Sequence, residues 1–518
     1  MKLTLLPVNK CIDFEQPKPL KFFADTGIEY QCGANGKCGK CRVRFVEGAP
    51  EPSTADTNLF SPTEIEQGWR LACTALLTRD ATIEIPSTTA TVEMTQHADS
   101  DTATHRTGIA IDIGSTSIYA ILADLDSQKA LSTMTLLNMQ TLIAADVMSR
   151  VQFAMTNANG NDILHKTLRD EINSICANLC EQAHISPDII EVVTAVGNPV
   201  MLHTFVGSDI RPFGTAPYEG QWTDTRTESA RDIGLTALPN AMVHMLPQIR
   251  HIVGADTTAA IFATNMDTRD ETILLIDLGT NCEIALSTGG ELRATSTAAG
   301  PAFEGTNITC GMRATRGAIS SVFLTRDNSI DITVIGGGEP VGICGTGLAD
   351  AIAILLNMGA ITGAGRLLPN DLSPVPQIIG VDKKSNKPCA HLTDKVFITA
   401  DDVRNLQLVK AAVRAGAEML LDDAGITWTD INHIFLAGAF GQAVNPRSIA
   451  RIQMLPLNTI PVTRAIGNAA ATGALKALLA WDQSLPRLND IHRRIKYVDC
   501  VRNEDFQEQF ANAMSFAK

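Results

Sequence analysis

The sequence predicts two unlike parts in one chain: a small β-rich α+β domain, then a larger α/β body built by duplication. Three observations predict this. The 518 residues exceed what one hydrophobic core usually holds. Three cysteines and three glycines crowd into CGANGKCGKC, residues 32–41. A strand–Asp–x–Gly–Ser/Thr pattern occurs twice, in TGIAIDIGSTSIYAILADL (107–125) and ETILLIDLGTNCEIALS (271–287).

Composition narrows the function classes. An apolar fraction of 45% and a charged fraction of 19% are those of a globular protein. A net charge of -14 argues against non-specific binding to nucleic acid or to anionic membranes. MKLTLLPVNK lacks the apolar run of a secretory signal, so a cytoplasmic location is expected. The Ala-rich run Ala469–Leu479 is broken by Gly473 and Lys476, and no membrane span is expected. Twelve cysteines are too sparse for a disulfide framework in a chain this long.

The first domain reads as short strands. Lys2–Leu6, Leu20–Phe23, CRVRF (41–45) and Thr82–Ile85 are the candidates. SPTEIEQ (61–67) carries Ser61 and, three residues on, Glu64, the pattern of a capped helix.

Cys32 and Cys38 enclose five residues, Cys38 and Cys41 enclose two, and Cys73 follows in RLACTALL. One compact loop plus one distant thiolate suits a [2Fe–2S] cluster, whose plant-type spacing is C-x4-C-x2-C…C. Gly33, Gly36 and Gly39 let the backbone turn its N–H groups toward the sulfurs. Structural zinc prefers paired CxxC or CxxC with histidines, and only Cys38–Cys41 makes such a pair. The spacing therefore favours iron–sulfur, with zinc the remaining alternative. Cys11 lies outside the pattern. STTATVEMTQHADSDTATHR (87–106) reads as a linker.

In the body, each hydrophobic strand runs into an aspartate and then a tip of small residues before a second strand. This is a hairpin, not a Walker A loop. The tips Gly114, Ser115 and Thr116, and Gly279, Thr280 and Asn281, let backbone and hydroxyl donors approach a phosphate. Asp112 and Asp277 are the expected carboxylates for Mg²⁺ or for positioning water, with Glu283 a weaker candidate. INHIFLAGAFGQAVNP (431–446) reads as a strand, a glycine turn at Gly438 and Gly441 that could admit adenosine, and a helix. AIGNAAATGA (465–474) reads as a helix of tiny residues fit for close packing between two lobes.

These hairpins, the adenosine turn and the small-residue helix resemble the superfamily of acetate and sugar kinases, Hsp70 and actin. The whole chain resembles, more narrowly, the reductive activators of corrinoid-dependent methyltransferase systems. GNPVMLHTFVG (197–207), VGADTTAAI (253–261), STAAGPAFEG (296–305), GMRATRGAI (311–319), GICGTGLADAI (342–352) and FLAGAFG (435–441) carry that likeness. It implies a β-grasp-like ferredoxin domain over 1–88, a flexible linker over 89–106, a first actin-like (ribonuclease H-like) ATPase lobe over 107–270 and a second over 271–518. It also implies a [2Fe–2S] cluster, ATP and Mg²⁺ as cofactors. The partners implied are a corrinoid protein, reduced from Co(II) to Co(I), and a low-potential ferredoxin or flavodoxin. A homodimer is compatible with this body.

The C-terminus has only Cys500, so the [4Fe–4S] version found in some wider relatives is not expected. Cys282 stands where the resemblance expects glycine, and would narrow the phosphate pocket. Cys344 is expected to be a buried small residue. Arg313 and Arg316 are candidates for phosphate, corrinoid or partner contacts. Asp146 and Arg150, spaced i, i+4, suggest an intrahelical ion pair. His203, amid apolar residues, reads as a core histidine. Two rival functions fit the same hairpins: a redox-regulated small-molecule kinase and a nucleotide-gated electron carrier.

Overall fold

The computed structural model describes residues 1–6, 10–23, 28, 41–60, 62–84, 95–96, 106–325, 329–500 and 503–517. In the N-terminal part, strands β1 (Lys2–Leu6), β2 (Lys10–Asp13), β3 (Arg42–Glu47), β4 (Trp69–Leu71) and β5 (Ala81–Glu84) form one mixed sheet. Its order is β2–β1–β5–β3–β4, with β1 and β5 parallel. Alternation along β3 puts Val43 and Phe45 into a core with Leu3, Leu5, Leu71 and Ile83.

Helix α1 (Thr54–Leu59) opens with a capping box between Ser53 and Asp56. The Asp56 carboxylate also accepts the Leu71 N–H at 2.7 Å, which ties the helix to β4. Helix α2 (Pro62–Glu66) follows, with Ser61 outside the described residues. Leu20–Phe22 is a 3₁₀ turn rather than a strand. Lys18–Pro19 pairs antiparallel with Leu76–Leu77, and the Leu20 N–H closes that short ladder on the Ala75 carbonyl at 2.8 Å before the chain turns. Of the stretch 87–106, Thr95–Gln96 (β6) pairs with the edge of the next sheet, Arg106 is described, and the rest lies outside the described residues.

The body holds two sheets of one plan. The first contains β7 (Thr107–Ile113), β8 (Ser117–Asp124), β9 (Lys129–Leu137), β10 (Ile190–Gly197), β11 (Arg226–Ser229) and β12 (Met242–Met245), in the order β11–β12–β10–β7–β8–β9–β6. Between β9 and β10 lies helix α3 (Val147–Thr156), and after β12 comes α4 (Ala255–Thr264). The second sheet contains β13 (Ile273–Leu278), β14 (Cys282–Thr288), β15 (Glu291–Thr297), β16 (His433–Ala437), β17 (Thr463–Gly467) and β18 (Lys496–Tyr497), in the order β17–β16–β13–β14–β15–β18. In both, an antiparallel three-strand meander is followed by two strands added parallel to its first strand. This is the duplicated actin-like architecture, with the N-terminal ferredoxin-like domain in front. Helix α5 (Ala400–Ala424) covers the second sheet, where Gly416 lies against Ile284 and Thr297.

After β16 comes the short helix α6 (Gly438–Ala443), and after β17 the helix α7 (Ala469–Leu479). Although α7 follows the last long strand of the second sheet, it packs into the core of the first. The Thr194 hydroxyl donates to the Ala474 carbonyl at 2.8 Å, and Leu478 reaches Gly108. Helices α4 and α7 meet backbone to backbone: a Cβ on Gly473 would lie 2.0 Å from the Ala259 carbonyl oxygen. Gly473→Ala is therefore expected to push the helices apart and cost about 1–3 kcal/mol, the range for overpacking, in chemical denaturation. Among the described residues no helix is long and apolar enough to cross a membrane.

Candidate active site

The two hairpin tips sit at the ends of β7 and β13. In the first, a Cβ on Gly114 would lie 2.5 Å from the Ser117 carbonyl, so the tight turn requires glycine. The Asn138 amide donates to the Gly114 carbonyl at 2.9 Å, and the Arg150 guanidinium donates to the Ser115 carbonyl at 2.5 Å. In the second, Asp277 pairs across the hairpin with Glu283, Asn281 is exposed at the tip, and the Gly300 N–H donates to the Thr280 carbonyl at 2.9 Å. One side chain joins the tips: Glu304 accepts from the Thr116 hydroxyl at 3.1 Å and from the Thr280 hydroxyl.

Four half-buried carboxylates lie in mutual electrostatic reach. Burial pushes Asp112 up to about 7; the Asn468 amide, donating at 2.8 Å, opposes this and Asp256 adds to it. Burial, then Asp256 and Asp112, push Asp277 to about 7. Asp256, at the start of α4, is raised to about 6 by burial, against the Thr257 N–H that it accepts at 2.7 Å. Burial, Asp256 and Asp277 hold Glu283 well above the usual range, against the Ser296 hydroxyl. Such a set is one a cation would relieve. Among the described residues no three ligating side chains converge into a closed metal cage. Magnesium does not need one, since it is held by one or two carboxylates together with phosphate oxygens and water.

Gly438 joins this floor. It opens α6 at φ 84°, and its missing Cβ would stand 2.7 Å from an Asp277 oxygen. Any side chain there would strain the backbone and strike the carboxylate. Gly441, one turn on, lies against the Leu436 backbone.

Asp256, Glu304 and Asn468 also reach the cleft. Each stands in a stretch of small residues, and no spacing marks their carboxylates and amide as bound for the cleft. Two local expectations are corrected. Arg150 makes no ion pair with Asp146. Asp146 instead caps α3, accepting from the Ser149 N–H at 2.8 Å, while Arg150 is buried and holds the first hairpin. Cys282 does not narrow the phosphate pocket: it sits opposite Leu278 and points into the core of the second sheet.

The other residues fall as expected or away from the cleft. His203 is a satisfied core group, bonded to the Pro199 carbonyl at 2.7 Å and the Gln221 N–H at 3.0 Å and stacked on Trp222. Burial lowers it to about 4. Cys344 is buried with its sulfur 3.3 Å from the Thr346 hydroxyl. Arg316 is exposed and lies along Gly336. A cavity of 370 Å³ lies at the opposite end of β14 and β15, where Arg293, Arg494 and Lys496 are already paired with Asp423 and Asp490.

In the N-terminal domain, Cys41 and Cys73 are buried together, and the Ala72 N–H donates to the Cys41 carbonyl at 2.8 Å. Two buried cysteines in one small core, one from the end of the loop and one from the distant segment, are half of the four-cysteine set. Cys32 and Cys38 lie outside the described residues.

Each part of the chain is similar to known proteins. Residues 12–78 match the 2Fe-2S iron-sulfur cluster binding domain, 107–269 the RACo middle region, and 271–518 the C-terminal ASKHA domain of RACo. Corrinoid activation enzyme RamQ of Eubacterium limosum is 34% identical over 417 residues, 78% of this chain and 69% of that protein. The [Co(II) methylated amine-specific corrinoid protein] reductase of Methanosarcina barkeri is 29% identical, over 67% of this chain and 66% of that one. A solved reductive activator for corrinoid, iron-sulfur protein superposes with a TM-score of 0.72 at 25% identity, over 99% of this chain and 98% of that chain. A ferredoxin-like domain ahead of a duplicated ATPase body, matched along nearly its whole length, makes this chain a member of the RACo family.

Proposed function

We propose that this chain is an ATP-dependent reductive activator: it delivers one electron to a corrinoid protein and returns its cobalt from Co(II) to Co(I). The observation that carries this reading is the union, in one chain, of a paired-cysteine cluster domain with a two-hairpin carboxylate cleft. A redox-regulated kinase and a nucleotide-gated electron carrier would share both parts, and the likeness to a corrinoid activation enzyme and a corrinoid protein reductase favours activation over them.

Cys32, Cys38, Cys41 and Cys73 would hold the [2Fe–2S] cluster, which when bound supplies a one-electron relay. Asp112 and Asp277 would face Mg²⁺, with Asn468 fixing the orientation of Asp112. Glu283 is the weaker candidate for activating water, and Asp256 adds a further carboxyl to the floor that a bound cation would favour in its ionised form. Gly114, Ser115, Thr116, Gly279, Thr280 and Asn281 offer N–H and hydroxyl donors to the phosphates from opposite sides. Gly438 and Gly441 leave room for the nucleoside. A nucleotide held by both hairpins draws the two sheets together, with the close α4–α7 contact as pivot. The electron comes from a low-potential ferredoxin or flavodoxin.

Each 30 mV of unfavourable potential costs about 0.7 kcal/mol for one electron, so hydrolysis can drive a gap of a few hundred millivolts. The reading is tested by ATP turnover of the cluster-loaded chain. Hydrolysis is expected to rise when a corrinoid protein is added in its Co(II) form and not in its methylated form. Hydrolysis indifferent to the corrinoid protein, with a small molecule phosphorylated instead, would favour the kinase.

A further inference from the structure

We propose that Glu304 is a built-in occupant of the terminal-phosphate position, clasping the two hairpins until a nucleoside triphosphate displaces it. The inference rests on the reading of these hairpins as the phosphate site. One oxygen of Glu304 accepts from Thr116 at 3.1 Å and the other from Thr280. The two threonines belong to different sheets, so this carboxylate stands between the tips. A threonine hydroxyl has a single proton to give. While both protons point at Glu304, neither is available to a phosphate oxygen. A carboxylate and a phosphate also repel each other when they share a desolvated space. Nucleotide and carboxylate therefore compete for the same donors.

The surrounding backbone suits a group that must leave. Glu304 ends a single 3₁₀ turn, Pro301–Glu304, between Gly300 (φ 87°) and Gly305 (φ 78°). A Cβ on Gly300 would meet open space, whereas Gly305 is tight against the Met312 backbone. Gly305 anchors one side of the turn, while the Gly300 N–H ties the other to the Thr280 carbonyl at 2.9 Å, so a swing of the turn releases that bond together with the carboxylate. It also reports to the rest of the cleft. Phe303 stacks on Phe440 of α6 with ring centroids 3.8 Å apart, and α6 begins at Gly438 beside Asp277. Displacing Glu304 thus shifts the contact that positions the adenosine turn. A diphosphate, lacking the terminal group, leaves the clasp closed.

The test measures binding of Mg-AMPPNP and Mg-ADP to the full chain by calorimetry, for wild type, E304Q and E304A. Both variants are expected to bind AMPPNP about tenfold more tightly than wild type, with ADP affinity changed less than about twofold. Weaker, unchanged or equally shifted affinities for the two nucleotides overturn the clasp while leaving the phosphate site standing. Failure of wild type to bind either nucleotide overturns the phosphate-site reading and the clasp with it. Hydrogen exchange on the wild type keeps the test open should the variants misfold. AMPPNP, and not ADP, is expected to speed exchange over residues 299–306; equal protection in both complexes contradicts the clasp.

Discussion

Cys73→Ser protein is expected to emerge without the visible absorbance of a [2Fe–2S] cluster and without any corrinoid reduction, yet to bind Mg-ATP as the wild type does. Cys73 is 4% exposed and lies in the small domain's core with Leu71 and Leu77. Its neighbour Ala72 is bonded to the Cys41 backbone, so the sheet fixes the backbones of the two cysteine segments next to each other. A serine hydroxyl is a poor thiolate substitute for iron, and the remaining three cysteines form an incomplete shell. The cleft belongs to other sheets with their own cores, so nucleotide affinity is the control that separates cluster loss from global unfolding. Iron and sulfide analysis of the wild type settles the metal: two irons per chain are expected. Zinc in place of iron, or a serine variant with full visible absorbance, contradicts the assignment.

Asp277→Asn is expected to lower ATP hydrolysis by about 10²- to 10³-fold, the usual effect of removing one preorganised electrostatic group from a reacting centre. It should also alter stability in a pH-dependent way. The Asp277 carboxyl is raised from an ordinary 3.8 to about 7. A raised native pKa contributes stability that is fully present below pH 4 and lost as pH rises through 7. Asparagine carries no charge at either extreme. The nucleotide-free variant should therefore melt a few degrees above wild type at pH 8, with the difference shrinking toward pH 5. Magnesium nucleotide should raise the wild-type melting temperature more at pH 8 than at pH 5.5. A variant that is less stable than wild type at pH 8 would show that Asp277 is held by favourable contacts rather than by a crowded negative floor.

The hairpins were legible in the sequence because each is a local pattern: strand, aspartate, small tip, strand. Their repetition gave the duplicated body, and the cysteine spacing gave the cluster domain. The floor of the cleft was not legible because its partners are remote. Asn468 reaches Asp112 across 356 positions, and Glu304 reaches Thr116 across 188. No window of sequence holds both members of such a pair. Arg150 misled for a related reason. Spacing of i, i+4 suggests a neighbour on the helix, but tertiary packing buried the guanidinium, and the backbone carbonyl of Ser115 met it there. Leu20–Phe22 misled because a short apolar run does not distinguish a strand from a 3₁₀ turn. Gly473 was read correctly as a residue for close packing, while the sheet on which α7 packs could only be seen in the fold.

The most direct test of the account is the appearance of Co(I). Cluster-loaded protein would be mixed anaerobically with a corrinoid protein in its Co(II) state and a low-potential reductant, and followed by absorbance with ATP, without nucleotide and with AMPPNP. Co(I) is expected only with ATP, and not with the Cys73→Ser or Asp277→Asn variants. Co(I) formed equally well without ATP, or by the variant lacking its cluster, would contradict the coupling of the two parts of this chain.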